Sequence, residues 1–286
     1  MVETIATIKK QVSWEEAVAT LACSADRLEL ARACYFDRPV LDAVKRFYAS
    51  LEWREMCRFV PMRKSGLALD IGAGNGITSY ALAMDGWHVD ATEPDPSEWV
   101  GAGAIRSWAA SESLPVSVCD AFCESLPFSN ASFDVIIARQ VMHHTKDLAQ
   151  AFREISRVLA PGGIALTTRD HVVSSDKQLQ QFFERHPLHK LYGGENAFRL
   201  SEYKRAAREA GLRILKVLGS ISSPINLAPF SEENIVEKLS RRLPAPLKPI
   251  VTSILAPKSR RLKAVLRIAS CLDNRPGRLV SLVLTK

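Results

Sequence analysis

A glycine-rich turn beside an acidic residue is the part of the sequence best suited to bind a ligand. It reads Asp70-Ile-Gly-Ala-Gly-Asn-Gly76 and lies between a short apolar segment and a helical pattern. Glycines at such a bend allow positive φ and let a ligand approach the backbone without a Cβ in the way. A nicotinamide-binding loop would have its third glycine one position later, and the Asp70 carboxylate would repel a pyrophosphate but suit a cationic ligand. Tight packing of the turn is the alternative explanation of the glycines.

Two further carboxylates follow the next apolar segments along the chain. Glu93 is placed where it can accept hydrogen bonds from both hydroxyls of a ribose, and Asp120 where it can accept one from an adenine amino group. Each acid alone would be typical of a solvated loop. Three acids that end successive strands beside a glycine loop instead indicate a binding crevice, because open α/β sheets bind ligands outside the carboxyl ends of their strands.

Alternating strands and helices are needed to bring these residues together, and the sequence predicts them. The first 65 residues are predicted to be helical, with a capping box at Ser13-Trp-Glu-Glu16 and a helix that begins near Asp37 and Pro39. The alternation then predicts an α/β fold with a mostly parallel, doubly wound sheet. Predicted strands cover residues 67–71, 88–92, 116–119, 133–138, 164–168, 213–218 and 278–285. Predicted helices cover residues 77–85, about 96–110, 147–160, and 201–211 with Ser201 as the cap.

Six segments in this order resemble the class I S-adenosylmethionine-dependent methyltransferases, particularly the broad group that includes quinone-biosynthesis and small-molecule enzymes. They cover roughly residues 66–170 and are highly specific as a set. The segments are Leu69-Asp-Ile-Gly-Ala-Gly-Asn-Gly76, Val89-Asp-Ala-Thr-Glu93, Asp120-Ala with Leu126-Pro-Phe128, Phe133-Asp-Val-Ile-Ile137, Val141-Met-His-His144 and Leu159-Ala-Pro-Gly-Gly163.

The resemblance implies a Rossmann-like, seven-stranded sheet with an antiparallel last strand, and it implies S-adenosyl-L-methionine as the cofactor. Glycines 72, 74 and 76 would line its methionine part, Glu93 would hold the ribose, and Asp120 with the Ala121 and Phe122 backbone would hold the adenine. The full set of residues that the resemblance assigns to cofactor binding is Asp70, Gly72, Ala73, Gly74, Gly76, Glu93, Pro94, Asp120, Ala121, Phe122, Arg139 and Gln140. Arg139 and Gln140 depart from the family pattern, in which small residues are frequent at these positions.

Three histidines are candidates for a catalytic base. Methyl transfer to a neutral hydroxyl needs a base near its proton, whereas an acidic enol or phenol needs none. His143 and His144 follow the fourth strand and would face the transferred methyl group, although local hydrogen bonding at a strand end is the alternative. His171, which follows the fifth strand, is a further candidate. His186 and His189 flank Pro187 without a third ligand at suitable spacing, so the sequence predicts no metal.

Two segments near these histidines have two interpretations each. Arg169 and Asp170 could bind substrate or could pair with each other in solvent. The segment Tyr192-Gly-Gly-Glu-Asn196 is predicted to be a mobile loop over the pocket or a plain surface turn.

Charge is concentrated in one part of the chain. The net charge is +7, and residues 223–276 hold ten Lys or Arg against four Asp or Glu, which accounts for +6 of it. A helical pattern within 258–270 has apolar Leu262, Val265, Leu266 and Ala269 on one face, so the stretch 238–270 could lie on an anionic membrane, could bind an acidic substrate, or could cap the fold. Nucleic acid is not an expected partner, because the insertion has one aromatic residue for base stacking.

The sequence therefore predicts an N-terminal helical cap (1–65), a methyltransferase core (66–222 and 277–286) and a basic, Pro-containing insertion before the last strand (223–276). We expect an enzyme that methylates a small-molecule, glycan or lipid-linked acceptor, most often at oxygen. The alternative is a non-catalytic binding protein that uses the insertion to hold an acidic partner or a membrane. Because the N-terminus has no apolar signal core and no long apolar stretch follows, we expect a cytoplasmic protein, with contact at the inner membrane surface through the insertion.

Overall fold

A computed structural model describes residues 12–23, 25–61, 66–241, 252–257 and 259–286. Parts of the sequence-based interpretation lie outside the described residues: positions 1–11, 24 and 62–65 of the predicted helical cap, and positions 242–251 and 258 of the predicted insertion.

Four helices precede the sheet: α1 (Trp14–Ala22), α2 (Ala25–Ala33), α3 (Val40–Tyr48) and α4 (Leu51–Met56). The predicted capping box forms, since the Ser13 amide donates to Glu16 Oε2 at 2.7 Å and the Glu16 amide donates to Ser13 Oγ at 3.2 Å. The helix predicted near Pro39 is α3, whose Ala43, Val44 and Phe47 are buried. Amphipathic helices gain most of their stability from such tertiary burial.

The sheet contains β1 (Leu67–Ile71), β2 (His88–Thr92), β3 (Val116–Cys119), β4 (Phe133–Arg139), β5 (Leu159–Val173), β6 (Phe198–Arg199), β7 (Arg213–Leu218) and β8 (Arg278–Thr285). The order across the sheet is β3-β2-β1-β4-β5-β8-β7, and the two-residue β6 lies beside the far end of β5. The strands from β3 to β5 are parallel, and β8 is antiparallel to both neighbours. The predicted Rossmann-like fold is confirmed, with β6 added to the seven predicted strands.

Helices cover both faces of this sheet. They are α5 (Ile77–Met84), α6 (Ala102–Glu112), α7 (Leu148–Val158), α8 (Asp176–Arg185), α9 (His189–Tyr192) and α10 (Leu200–Glu209). One apolar cluster joins α3, α4, α5 and α6 to the sheet through Phe47, Trp53, Tyr80 and Trp108. A second cluster joins α7 and α10 through residues that include Phe152 and Tyr203.

Several predicted boundaries differ from the structure; for example, the helix predicted over 147–160 ends at Val158, and residues 159 and 160 begin β5. Ser201 is not a cap, because α10 begins one residue earlier, and its first turn is closed by a hydrogen bond from the Arg199 amide to Glu202 Oε2 at 2.7 Å. The helix predicted over 96–110 begins at Ala102, since the chain before it folds back through hydrogen bonds such as that from the Ala102 amide to Asp95 O at 2.7 Å. The strand predicted over 164–168 is longer because it pairs with β4 on one side and with β8 on the other.

The residues of the basic insertion include α11 (Pro224–Leu227), α12 (Glu232–Arg241) and α13 (Arg260–Leu272). Leu262 and Leu266 of α13 are buried against Val236 of α12, so part of the predicted apolar face packs within the insertion. Val265 lies outside this contact and is exposed. No helix among the described residues is both long enough and apolar enough to cross a bilayer. The three-part division of the chain stays a prediction.

Candidate functional site

A cavity of about 660 Å³ lies at the carboxyl edge of the parallel strands. The loops after β1, β2, β3 and β4 form its floor, and residues of the N-terminal helices and of the segment 186–195 form its walls. Its size falls within the range of small-molecule and cofactor sites.

All but two of the predicted site residues line this cavity. Gly76 and Asp120 do not. Asp120 is exposed after β3, although its neighbours Ala121 and Phe122 reach the cavity. The residues that the structure brings together are Asp70, Gly72, Ala73, Gly74, Glu93, Pro94, Ala121, Phe122, Arg139, Gln140, His143, His144 and His171.

The three glycines of the turn have different surroundings, although all have positive φ. A Cβ at Gly72 would lie 2.7 Å from a Val141 methyl group, and one at Gly76 would lie 2.5 Å from the Trp108 ring. A Cβ at Gly74 would meet only a carbonyl oxygen at 3.7 Å. Gly76 therefore serves close packing against α6, whereas Gly74 leaves its backbone open towards the cavity.

Glu93 holds the turn in place from the end of β2. Its Oε2 accepts a hydrogen bond from the Gly74 amide at 2.6 Å, and its Oε1 accepts one from the Asp95 amide at 2.9 Å. Burial raises the pKa of Glu93 above its usual value. Because a carboxylate can accept about four hydrogen bonds, both oxygens can still accept from a ligand in the cavity.

Asp70 is a buried carboxyl group at the end of β1. The Ser79 hydroxyl donates to its Oδ2 at 2.6 Å. Burial raises the pKa of Asp70 to about 7, against the opposing effect of that hydrogen bond. The group therefore lacks a full counter-charge, and a cationic ligand beside it would stabilise its ionised form.

Arg139, at the end of β4, is bound by a carboxylate that the sequence analysis did not single out. Its Nε donates to Glu52 Oε1 at 2.7 Å and its Nη2 donates to Glu52 Oε2 at 3.2 Å. Burial alone would lower the pKa of Arg139, but the Glu52 carboxylate raises it. Arg139 also donates to the Gln140 side chain at 2.8 Å. This departure from the family pattern thus anchors α4 over the edge of the sheet.

Arg169 and Asp170 do not pair with each other in solvent, since both are buried. Arg169 Nη1 donates to the carbonyl oxygens of Ile225 at 2.7 Å and Ala228 at 2.9 Å, and its Nε lies 3.8 Å from Glu52. Asp170 instead bonds to His143.

Five of the six histidines of the chain lie in one cluster around Asp170 and Glu195. His143 Nδ1 is 3.0 Å from Asp170 Oδ1, and His143 Nε2 is 3.4 Å from Glu195 Oε2. The His143 and His171 ring centroids are 4.8 Å apart, and those of His171 and His186 are 5.1 Å apart. His189 Nδ1 lies 3.1 Å from the Glu195 carbonyl oxygen.

The ionisation of these histidines follows from their shared carboxylates. Burial alone would lower the pKa of His143, but hydrogen bonds to Asp170 and Glu195 raise it to about 9. Burial, together with the nearby His143 charge, lowers the pKa of His144 to about 4 and that of His171 to about 3. Burial would raise the pKa of Glu195, but the His143 hydrogen bond lowers it.

Glu195 belongs to the segment 192–196, which the sequence predicted to be either a mobile loop or a surface turn. Glu195 is buried, the Tyr192 hydroxyl donates to its Oε1 at 3.1 Å, and the Tyr192 ring lies 5.0 Å from that of Trp14. The segment therefore forms a wall of the cavity. The only sequence signal for a role of Glu195 is that it follows two glycines and lies near two histidines. That pattern carries little information without the fold.

Comparisons with known proteins agree with this architecture. Residues 69–167 match the family model described as "Methyltransferase domain". The uncharacterized methyltransferase YcgJ of Bacillus subtilis (strain 168) is 35% identical over 135 residues, which cover 44% of this chain and 49% of that protein. The 27-O-demethylrifamycin SV methyltransferase of Amycolatopsis mediterranei (strain S699) is 34% identical over 155 residues, covering 54% of this chain and 56% of that protein. The match thus spans about half the length of both relatives.

Solved structures show the same fold. That of YcgJ has a TM-score of 0.52 at 22% identity and covers 82% of this chain and 96% of that chain. The geranyl diphosphate C-methyltransferase of Streptomyces coelicolor A3(2), solved with S-adenosyl-L-homocysteine, has a TM-score of 0.56 at 15% identity and covers 83% of this chain and 75% of that chain. Residues 69–167 thus resemble a methyltransferase domain, and the chain shares the fold of solved methyltransferases. The alternative of a non-catalytic binding protein gains no support from these comparisons.

We expect Asp70 to make the free energy of unfolding fall as the pH rises from about 4 to about 7. The folded protein keeps the Asp70 proton up to about pH 7, whereas the unfolded chain loses it near pH 3.9. The contribution of Asp70 to the free energy of unfolding is therefore largest below about pH 4 and is lost as the pH rises through 7. Between about pH 5 and pH 8 the loss amounts to about 2.5 kcal/mol.

Asp70→Asn, which is neutral throughout, removes this contribution. The contribution of Asp70 is measured by urea unfolding at pH 5 and pH 8. The proteins compared are the wild type, Asp70→Asn and the exposed control Asp42→Asn. The control should follow the wild type. Equal pH dependence in the wild type and Asp70→Asn would show that Asp70 titrates normally.

Proposed function

We propose that the protein is an S-adenosylmethionine-dependent methyltransferase that acts on a hydroxyl group of a small-molecule, glycan or lipid-linked acceptor. The observation that supports this best is that the glycine turn with Glu93 and the histidine cluster face one cavity. The match of residues 69–167 to a methyltransferase family model supports the cofactor, and the A. mediterranei relative, named for a 27-O-demethylated compound, supports oxygen as the atom methylated.

The residues at the β1–β3 end fit the cofactor. The open backbone at Gly74 leaves room for it, the carboxyl groups of Asp70 and Glu93 suit its cationic amino acid part and its ribose hydroxyls, and the Ala121–Phe122 backbone suits its adenine. When bound, the cofactor supplies a methyl group on a sulfonium that can be displaced in line. The Asp70 carboxylate beside the glycine turn disfavours a pyrophosphate, so a nicotinamide cofactor does not fit.

The histidine cluster would form the acceptor end of the cavity. His144 is the most open of the three predicted catalytic histidines, with 36% of its side chain exposed against 1% for His143. Its Nδ1 lies 3.0 Å from the Gly194 carbonyl oxygen, which can only accept, so the lone pair is on Nε2. We assign to His144 the uptake of the acceptor's hydroxyl proton, while His143 and His171 position the acceptor and Trp14 and Tyr192 exclude water.

Cofactor binding tests the first half of this proposal. We expect S-adenosylmethionine and S-adenosylhomocysteine to bind with micromolar affinity in calorimetric titrations and NADH not to bind. Glu93→Ala should weaken both at least tenfold, about 1.4 kcal/mol, because it removes the acceptor of the ribose hydroxyls. The control Glu98→Ala changes an exposed acid of the same loop and should bind as the wild type does. Tight binding by Glu93→Ala would contradict the assigned role.

Turnover tests the second half. Hydroxylated aromatic, glycan and polyprenol-linked compounds can be screened by the S-adenosylhomocysteine they release, and the product identified by mass spectrometry and NMR. With the first active acceptor, His144→Ala should lower kcat about 10²-fold or more, the typical contribution of a general base, without weakening cofactor binding. His88→Ala, outside the cluster, serves as control. Methylation at nitrogen or carbon would refute the oxygen assignment, and an unchanged kcat would refute the base.

We further propose that α13 contacts an anionic membrane, which would bring a lipid-linked acceptor near the enzyme. Its Ile268 and Leu272 are 63% and 77% exposed, and Val265 is exposed on the same side of the helix. Arg260, Arg261, Lys263 and Arg267 of the same helix are also exposed. Exposed apolar side chains flanked by basic ones are typical of helices that lie in a membrane interface.

Liposome sedimentation tests this proposal. We expect binding to vesicles with anionic lipid at low salt, loss of binding at high salt because the charges are screened, and weak binding to neutral vesicles. Ile268→Ser with Leu272→Ser should abolish it, whereas Leu215→Ser, at an exposed position on β7, should not. Equal and weak binding to both kinds of vesicle would exclude the membrane contact.

A further inference from the structure

The histidine cluster also has the composition and arrangement of a metal-binding site. Its members come from distant parts of the chain: His143 from the 3₁₀ helix Met142–His144, His171 from β5, and Glu195 from the loop after α9. The nitrogen and oxygen atoms that these three residues can offer to a metal lie within 4.8 Å of one another. The sequence predicted no metal because no single segment shows ligand spacing, and only the fold unites these residues.

Hydrogen bonds to the opposite ring nitrogens prepare both histidines as ligands. His143 Nδ1 lies 3.0 Å from Asp170 Oδ1, and His171 Nδ1 lies 2.8 Å from the Gly277 carbonyl oxygen. A carboxylate or carbonyl acceptor keeps a ring proton on Nδ1, so Nε2 is the nitrogen that can bind the metal once it carries no proton. Metal-bound histidines are almost always oriented in this way.

Glu195 is oriented in the same manner. The Tyr192 hydroxyl donates a hydrogen bond to Glu195 Oε1. Glu195 Oε2 lies 3.4 Å from His143 Nε2 and 3.9 Å from His144 Nε2. The first distance is long for a hydrogen bond, so the carboxylate oxygen is only loosely held. Among the described residues, the ion pairs of Glu195 are with histidines, and none is with Lys or Arg. Two buried carboxylates, Asp170 and Glu195, thus face imidazoles, a setting that favours a cation.

We propose that His143 Nε2, His171 Nε2 and Glu195 Oε2 bind one divalent transition-metal ion. Two imidazoles and one carboxylate suit Zn²⁺, Mn²⁺, Fe²⁺ or Co²⁺. Ligand atoms around a tetrahedral Zn²⁺ are about 3.4 Å apart, so the three side chains close by up to about 1.4 Å when the ion binds. The remaining coordination positions face the cavity.

This site deepens the proposed function, on which the following step rests. A metal ion in the cavity would bind the acceptor's oxygen and lower the pKa of its hydroxyl group, and His144, which is not one of the three ligands, would take the proton. Metal binding itself is measured without cofactor or acceptor, so the two proposals can fail separately.

The experiment uses the full, tag-free chain, treated with chelator and then titrated with Zn²⁺ in a calorimeter. We expect one equivalent of Zn²⁺ to bind with micromolar or tighter affinity, and Co²⁺ to give a visible absorption band in the same stoichiometry. His171→Ala and the more conservative Glu195→Gln should each weaken Zn²⁺ binding at least 100-fold. His88→Ala, which changes the one histidine outside the cluster, should bind Zn²⁺ as the wild type does.

Two results would overturn the proposal: no saturable Zn²⁺ or Co²⁺ binding by the chelator-treated wild type, or unchanged binding by Glu195→Gln. Circular dichroism and S-adenosylmethionine titration of each variant show whether it is folded. If His171→Ala does not fold, the Zn²⁺ affinity of Glu195→Gln alone tests the proposal. A chain that binds Zn²⁺ but not S-adenosylmethionine would leave the metal site in place and refute the methyltransferase proposal.

Discussion

The ion pair between Glu52 and Arg139 is the interaction on which the rest of the site depends. Both side chains are buried, so removing either partner would leave an uncompensated charge, which typically costs about 3–5 kcal/mol. The two-pronged contact fixes α4 over the end of β4. Because Arg169 approaches the same carboxylate and also holds α11 through two carbonyl oxygens, a single acid connects the N-terminal helices, the sheet edge and the start of the insertion.

The backbone at the same edge shows why side chains can face the cavity there. Gln140 and Arg169 have φ values of 58° and 61°, which non-glycine residues seldom adopt, and the Gln140 amide donates to the Thr168 carbonyl oxygen at 2.8 Å. The two strands therefore leave regular geometry at neighbouring positions. Such strained residues persist where the surroundings hold them, and here the Glu52 ion pair and the contacts with α11 do so.

Local signals made much of this protein predictable from its sequence. The strands, the glycine turn and Glu93 depend on residues that are close in the chain; the structure forms the strands and brings Gly72, Gly74 and Glu93 to the cavity. Gly76 looked like a ligand-binding glycine but packs against Trp108, which is 32 positions further on. Glu52 and Glu195 could not be identified, because an acid on a helix or in a loop is ordinarily solvated and only tertiary contacts with Arg139 and His143 bury these two.

The charge of the histidine cluster follows from the same tertiary contacts. Asp170 and Glu195 stabilise one positive charge between them, on His143, and that charge together with burial keeps His144 and His171 neutral. A metal ion needs the lone pair of a neutral imidazole, so an ion at His143 Nε2 would take the place of the proton that the two carboxylates hold on that ring. The cluster thus carries one cationic charge in either state, whereas Asp70 and Glu93 line the same cavity at its cofactor end. Acidic groups in both parts therefore allow a cationic cofactor and a second cation to occupy one cavity.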